Sequence, residues 1–319
     1  MTDEVQDKKI REWAAIFGNI YRNTDKQRTP EQIWIAIMAH ASSMGESIRT
    51  ISFETLLNSA AHTFCWLCSF VNMCNSLEND AFSLKESLCG IVSLKYPGVC
   101  GHCEEKHCTC DPVKMDSETN KSAKYKTLPE KYRPHALPAF EDYHIEGLIS
   151  NFDIIYAGRI HILTLESIGF HFLEEVGEAA VAVRKLGQLR KIHKYRKEDF
   201  DPSFLNSLEN IPGIVAQYEK YIGNKKPKDI IDYASSDIEM LKLRLVDAKM
   251  ELIIEIADTI SWFCAVLNKL TRISRSIWEN PSHIIPKLEV KLNEMYVKDG
   301  KTQCPTCKHA ECACVFYSE

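Results

Sequence analysis

Cys100-Gly-His-Cys103-Glu-Glu-Lys-His-Cys108-Thr-Cys110 spells CxxC-x4-CxC, and Cys304-Pro-Thr-Cys307-Lys-His-Ala-Glu-Cys312-Ala-Cys314 spells it again. Chance does not readily write one four-cysteine spacing twice, so the chain reads as a tandem repeat. Matching stretches lie upstream of each copy. Ser59-Ala-Ala-His-Thr-Phe-Cys-Trp66 aligns with Glu255-Ile-Ala-Asp-Thr-Ile-Ser-Trp262, and Met44-Gly-Glu46 aligns with Val176-Gly-Glu178. An Ile-Tyr pair precedes both, at Ile20-Tyr21 and Ile155-Tyr156, with a slip of three residues.

The repeat sets the expected organisation: a first helical unit over 1–110, a linker over 111–145, and a second helical unit over 146–319. The linker carries Pro112, Pro129, Pro134 and Pro138 among Lys, Ser, Thr and Asn, a composition of extended chain. The second unit is 64 residues longer between its two motif helices, an insertion placed at about 187–247. The insertion opens with the basic run Arg190–Lys197, read as a solvated helix extension in preference to a nucleic-acid or phosphate contact, passes loop-like stretches at Asp201-Pro202 and Ile211-Pro212-Gly213, and resumes a helix near Ser235. Thr29-Pro30-Glu31 is a helix start, with a capping hydroxyl before a proline in the first turn. Apolar residues recur at helical spacing in Ile33–Met44, Leu165–Val183 and Leu241–Leu270, and no convincing period-2 strand survives a count. The expected fold class is all-α: two tandem helical bundles, each followed by a small four-cysteine zinc-binding tail.

Composition bounds the function. The 319 residues suffice for two domains, and a net charge of −5 gives no global attraction to nucleic acid or anionic membrane. The opening MTDEVQDKKI has no apolar leader core, and the longest apolar stretches, Phe64–Val71 and Ile260–Leu267, fall far short of a membrane span. The expectation is a cytoplasmic protein without a membrane partner. Thirteen cysteines in such a chain point to metal or buried thiols rather than disulfides.

The chemistry is carried by carboxylates. Phe172-Leu-Glu-Glu-Val-Gly-Glu-Ala-Ala-Val-Ala-Val183 puts Glu174, Glu175 and Glu178 on one helical face, and Glu251-Leu-Ile-Ile-Glu-Ile-Ala-Asp258 does the same for Glu251, Glu255 and Asp258. No Lys or Arg lies between Phe172 and Val183, or between Glu251 and Asn268. Like charges at this spacing repel, and apolar surroundings worsen the repulsion. A lone EExxE is usually a solvated face. Two such motifs on apolar helices of one repeat call for a hard cation, Mg²⁺ or Mn²⁺.

Glu174-Glu175-x-x-Glu178 followed by Glu255-x-x-Asp258 resembles the EExxE…ExxD signature of the MazG-like superfamily of all-α nucleoside triphosphate pyrophosphohydrolases. The first copy adds to the resemblance through Trp13…Phe17-Gly18…Ile20-Tyr21 and Tyr96-Pro-Gly-Val-Cys100. The resemblance covers both copies but not the linker or the insertion, and the spacing between the motifs is longer than is usual in that superfamily. It implies that Glu175, Glu178, Glu255 and Asp258 bind magnesium, with Glu174 a further ligand or a water-orienting base beside Glu175. Glu251 is an outside candidate. It implies a nucleotide substrate cleaved between its α and β phosphates, and self-association through helical bundles. Lys269 and Arg272 follow the second motif and are candidates for phosphate contact, against the reading of a solvated helix end. The first copy holds Ser42, Ser43, Glu46, Ser59 and His62 where the second holds Glu174, Glu175, Glu178, Glu255 and Asp258. One carboxylate in five cannot hold a magnesium cluster, so this copy reads as degenerate.

Each cysteine tail offers four ligands for a closed tetrahedral zinc site: Cys100, Cys103, Cys108 and Cys110 in one, Cys304, Cys307, Cys312 and Cys314 in the other. His102, His107 and His309 are read as neighbours rather than ligands, and Cys65, Cys68 and Cys264 as small buried hydrophobes. The expected activity is Mg²⁺-dependent hydrolysis of a nucleoside or deoxynucleoside triphosphate. Two other classes remain: a nucleotide sensor with little chemistry, and a zinc-knuckle nucleic-acid binder, which the acidic net charge disfavours.

Overall fold

The computed structural model describes residues 8–78, 80–101, 103–110, 143–199, 227–277 and 287–314. The stretch 111–142 of the expected linker and residues 200–226 of the insertion lie outside them.

The described residues form eight helices: α1 (Ile10–Asp25), α2 (Pro30–Arg49), α3 (Phe53–Ser76), α4 (Leu88–Lys95), α5 (Ile145–Ile162), α6 (Leu165–Asp199), α7 (Pro227–Ile277) and α8 (Leu288–Tyr296). The local causes are ordinary helix chemistry. Thr29 and Gln32 close a reciprocal capping box ahead of Pro30. The Thr164 hydroxyl accepts from the Ser167 amide to start α6, and the Ser87 hydroxyl accepts from Gly90 to start α4. The fold class is thus helical, with one addition. A two-residue hairpin pairs β1 (Val297–Lys298) with β2 (Lys301–Thr302). Its turn, Asp299-Gly300, has positive φ at both residues, the geometry an Asp-Gly pair favours.

α6 continues through the basic run Arg190–Lys197 to Asp199, as a helix extension, and α7 begins at Pro227, eight residues before the expected Ser235. The loop-like stretches around Asp201 and Ile211 fall in the residues not described.

Four long helices, α2 and α3 from the first half and α6 and α7 from the second, make the centre of the molecule. α2 packs on α3 and α6 packs on α7, and the two pairs meet where α2 lies antiparallel against α6. Small residues permit that approach: a Cβ at Gly45 would meet Leu173 at 2.9 Å, and one at Gly169 would meet Ile48 at 2.7 Å. Trp34 bridges the same interface, its indole N–H donating to the Val176 carbonyl at 3.1 Å. The buried apolar residues form one cluster drawn from both halves.

The short elements are exchanged between the halves. α1 lies on α3 and α5 on α7, but α4 packs against α7 and α8 against α3. The cysteine tails follow. The Cys108 amide donates to the Ile155 carbonyl of α5, and the Cys312 amide donates to the Ile20 carbonyl of α1. Lys9 and His144, which immediately precede α1 and α5, pair with each other in an antiparallel bridge. Each half therefore lends its tail to the other. No described helix is long and apolar enough to cross a membrane.

Candidate metal centre

Residues Glu175, Glu255 and Asp258 each place one carboxylate oxygen within 4.8 Å of the others. α6 supplies Glu175, because its buried stripe of Ile168, Phe172, Val176 and Ala179 turns that residue toward α7. α7 supplies the other two on successive turns, between the fully buried Leu252, Ile256 and Ala257. Asp258 is itself buried.

The counter-charge comes from neither helix. Lys95, the last residue of α4 and only 3% exposed, bonds to Asp258 Oδ2, and the Tyr96 hydroxyl donates to Asp258 Oδ1. Tyr96 is held in turn by the edges of two rings on α5, Phe152 at 5.2 Å and Tyr156 at 6.2 Å between centroids. One lysine does not neutralise this cluster. Burial, and then the charge of Asp258, push the Glu175 carboxyl up to about 9; Lys95 opposes this, and Glu255 and Glu178 add to it. Burial and like charge thus favour the protonated form of Glu175, and a cation beside it would favour the ionised one.

The remaining carboxylates lie around this trio. Glu178 is exposed one turn along α6, close enough to act on Glu175 through its charge but outside the converging oxygens. Glu174 is exposed and faces His171 at 3.3 Å, and that ring stacks on Trp262. Glu251 pairs with Lys185 at 2.5 Å. The two cations weighed as candidates for phosphate contact against a solvated helix end both bond to α5. Lys269 donates to the Ile160 carbonyl at 3.1 Å, and Arg272 pairs with Asp153 and touches His161, so both hold the end of α5.

The first half repeats this arrangement without its charge. Tyr296 stands to His62 as Tyr96 stands to Asp258, at 3.2 Å from Nδ1, and its ring meets Phe17 edge-on at 5.0 Å. His62 stacks on His40 at 4.7 Å, and burial, then His40, lowers its pKa to about 4. Glu46 pairs with Arg49 on the surface at 2.5 Å. Among the described residues no carboxylate cluster forms here.

Both cysteine sets converge. Sγ atoms lie 3.5 Å apart for Cys100 and Cys108, 3.8 Å for Cys100 and Cys110, and 3.9 Å for Cys304 and Cys314. Tetrahedral thiolates at zinc stand about 3.8 Å from one another, whereas a disulfide holds its sulfurs at about 2 Å. A zinc ion fits each cluster. The loops are also alike: the Cys100 amide donates to Glu105 and the Cys304 amide to His309, with positive φ at Glu104 and at Lys308, the residues after the second cysteines. His107 Nδ1 contacts the Ile154 carbonyl at 3.0 Å rather than the cysteines; His102 lies outside the described residues. Cys65, Cys68 and Cys264 are buried.

Of the four magnesium ligands expected from the sequence, Glu175, Glu255 and Asp258 converge and Glu178 does not join them, while neither Lys95 nor Tyr96 was expected at the site. The signal available was a tyrosine at the C-terminal end of the short helix before each tail, Tyr96 just past α4 and Tyr296 closing α8. Comparison with protein families, with curated proteins and with solved structures gives no match.

Proposed function

We propose that the chain is a Mg²⁺- or Mn²⁺-dependent nucleotide pyrophosphohydrolase of MazG-like type, with its metal site in the second half. The observation that carries this reading is the convergence of Glu175, Glu255 and Asp258 on two packed helices, with Glu175 pushed up to about 9 by burial first and by the charge of Asp258 second. Hard carboxylate oxygens at this spacing suit magnesium, which keeps several waters and takes its other ligands from phosphate. With the cation bound, the site would supply neutralisation of phosphate charge and an ionised water. The chain's own residues do the rest: Asp258 is held by Lys95 and Tyr96, Glu175 and Glu255 face it from two helices, and Glu178 and Glu174 stay exposed beside Glu175 on α6. The reaction is attack at the α-phosphate, breaking the α–β bond to give monophosphate and pyrophosphate.

The two cysteine clusters are proposed as structural zinc sites, since four thiols close the tetrahedron and leave no position for a reacting water. The experiment is hydrolysis of a panel of ribo- and deoxynucleoside triphosphates by the full chain with Mg²⁺, with products separated. Pyrophosphate from at least one nucleotide, lost with Glu255→Gln, supports the reading. Orthophosphate as the product, or full activity in that variant, overturns it.

A further inference from the structure

The cluster of the second half is completed by a residue of the first. We propose that Lys95 is the resident counter-ion of Glu175, Glu255 and Asp258, so that Lys95 and Tyr96 position Asp258 and set how tightly the cluster takes a divalent cation. The proposal deepens, and rests on, the reading of the trio as a metal site.

A lysine ammonium buried to 3% exposure is costly unless paired. Lys95 is paired with Asp258, on an α7 stretch that brings no basic residue of its own from Glu251 to Asn268. Together Lys95 and Tyr96 bond both oxygens of Asp258, one each, which fixes the carboxylate plane and leaves each oxygen a further lone pair for a metal. The other half supplies an internal control. There the tyrosine is kept as Tyr296 and still reaches its partner, but the partner is His62, and the residue before it is Met295, half-buried against the core. Where the carboxylates are absent, so is the lysine. The pairing of charge with charge in one half and neutral with neutral in the other marks Lys95 as matched to the cluster rather than to the shape of α4.

A positive charge beside the ligands competes with a divalent cation for them. This gives a readout with a sign that a packing role does not produce. Mn²⁺ binding to the full chain, followed by electron paramagnetic resonance, should be about tenfold tighter or more in Lys95→Met. Lys95→Arg, which keeps the charge, should stay near the wild-type affinity. Tyr96→Phe, which frees one oxygen of Asp258, should weaken binding, while Tyr296→Phe should not change it. Unchanged or weaker binding in Lys95→Met overturns the proposal, as does a wild-type chain that binds no Mn²⁺. Should Lys95→Met not fold, the wild-type lysine ammonium groups can be read directly by nitrogen-edited NMR. One exchange-protected signal should shift on adding Mg²⁺; the absence of any responding lysine signal overturns the proposal. Nucleotide turnover separates the two readings. The expected Mn²⁺ results without hydrolysis of any triphosphate keep Lys95 as counter-ion and sink the pyrophosphohydrolase, whereas Mg²⁺-dependent turnover with unaltered Mn²⁺ affinity in Lys95→Met does the reverse.

Discussion

Glu175 lies against Glu255 and Asp258, with Lys95 the cation that pairs with the group. Its carboxyl sits at about 9 against an ordinary 4.5, raised by burial first and by Asp258 second. The folded state holds this proton more tightly than the unfolded chain does. The contribution to stability is therefore full below about 4.5 and is lost as pH rises through about 9. Metal-free protein should melt at progressively lower temperature across that window, and added Mg²⁺ should raise the melting temperature more at its alkaline end, because binding needs the ionised carboxylate. A scanning calorimetry series with and without Mg²⁺ reads both. Replacing Glu175 or Glu255 with Gln, or Asp258 with Asn, should lower turnover by about a hundredfold or more, while Glu46→Gln in the first half should leave it unchanged. The three carboxylates were legible because helical spacing alone puts them on apolar faces without a basic neighbour. Lys95 was not, since nothing local to α4 announces a partner more than a hundred and fifty residues away in sequence.

At the scale of elements, caps and apolar periodicity made the helices legible, and the basic run Arg190–Lys197, read as a solvated helix extension, does continue α6 to Asp199, since Lys, Arg, Leu and Gln are all good helix formers. The start of α7 was placed too late, at Ser235 instead of Pro227. The hairpin at Asp299-Gly300 escaped because its strands are two residues each, too short for a period to be counted. The contact between α2 and α6 carries the join between the halves. Trp34→Ala, which removes a side chain buried to 1% exposure, should cost about 3–5 kcal/mol in denaturant unfolding. Each cysteine tail ends on the opposite half, so zinc there is expected to act as a staple between halves. Elemental analysis should find two zinc ions per chain. Cys304→Ser should lower stability with little change in turnover, whereas Cys100→Ser, only four residues from Tyr96, should lower both.

For the whole molecule, the two four-cysteine clusters were legible as a duplicated spacing, but the exchange of tails was not, because either half could equally have kept its own. The second half by itself is therefore expected to be incomplete. A fragment of residues 146–319 retains Glu175, Glu255 and Asp258 but lacks Lys95, Tyr96 and the α2 face that covers α6. It should aggregate or be inactive, and a soluble, fully active fragment would show that the first half plays no part in the site. The central claim is a reaction, and product analysis tests it most directly. Full-length protein incubated with Mg²⁺ and its preferred nucleoside triphosphate in ¹⁸O-labelled water, followed by phosphorus NMR, should give monophosphate carrying the label and unlabelled pyrophosphate. Label in orthophosphate with diphosphate as the co-product, or no Mg²⁺-dependent turnover of any triphosphate, would contradict it.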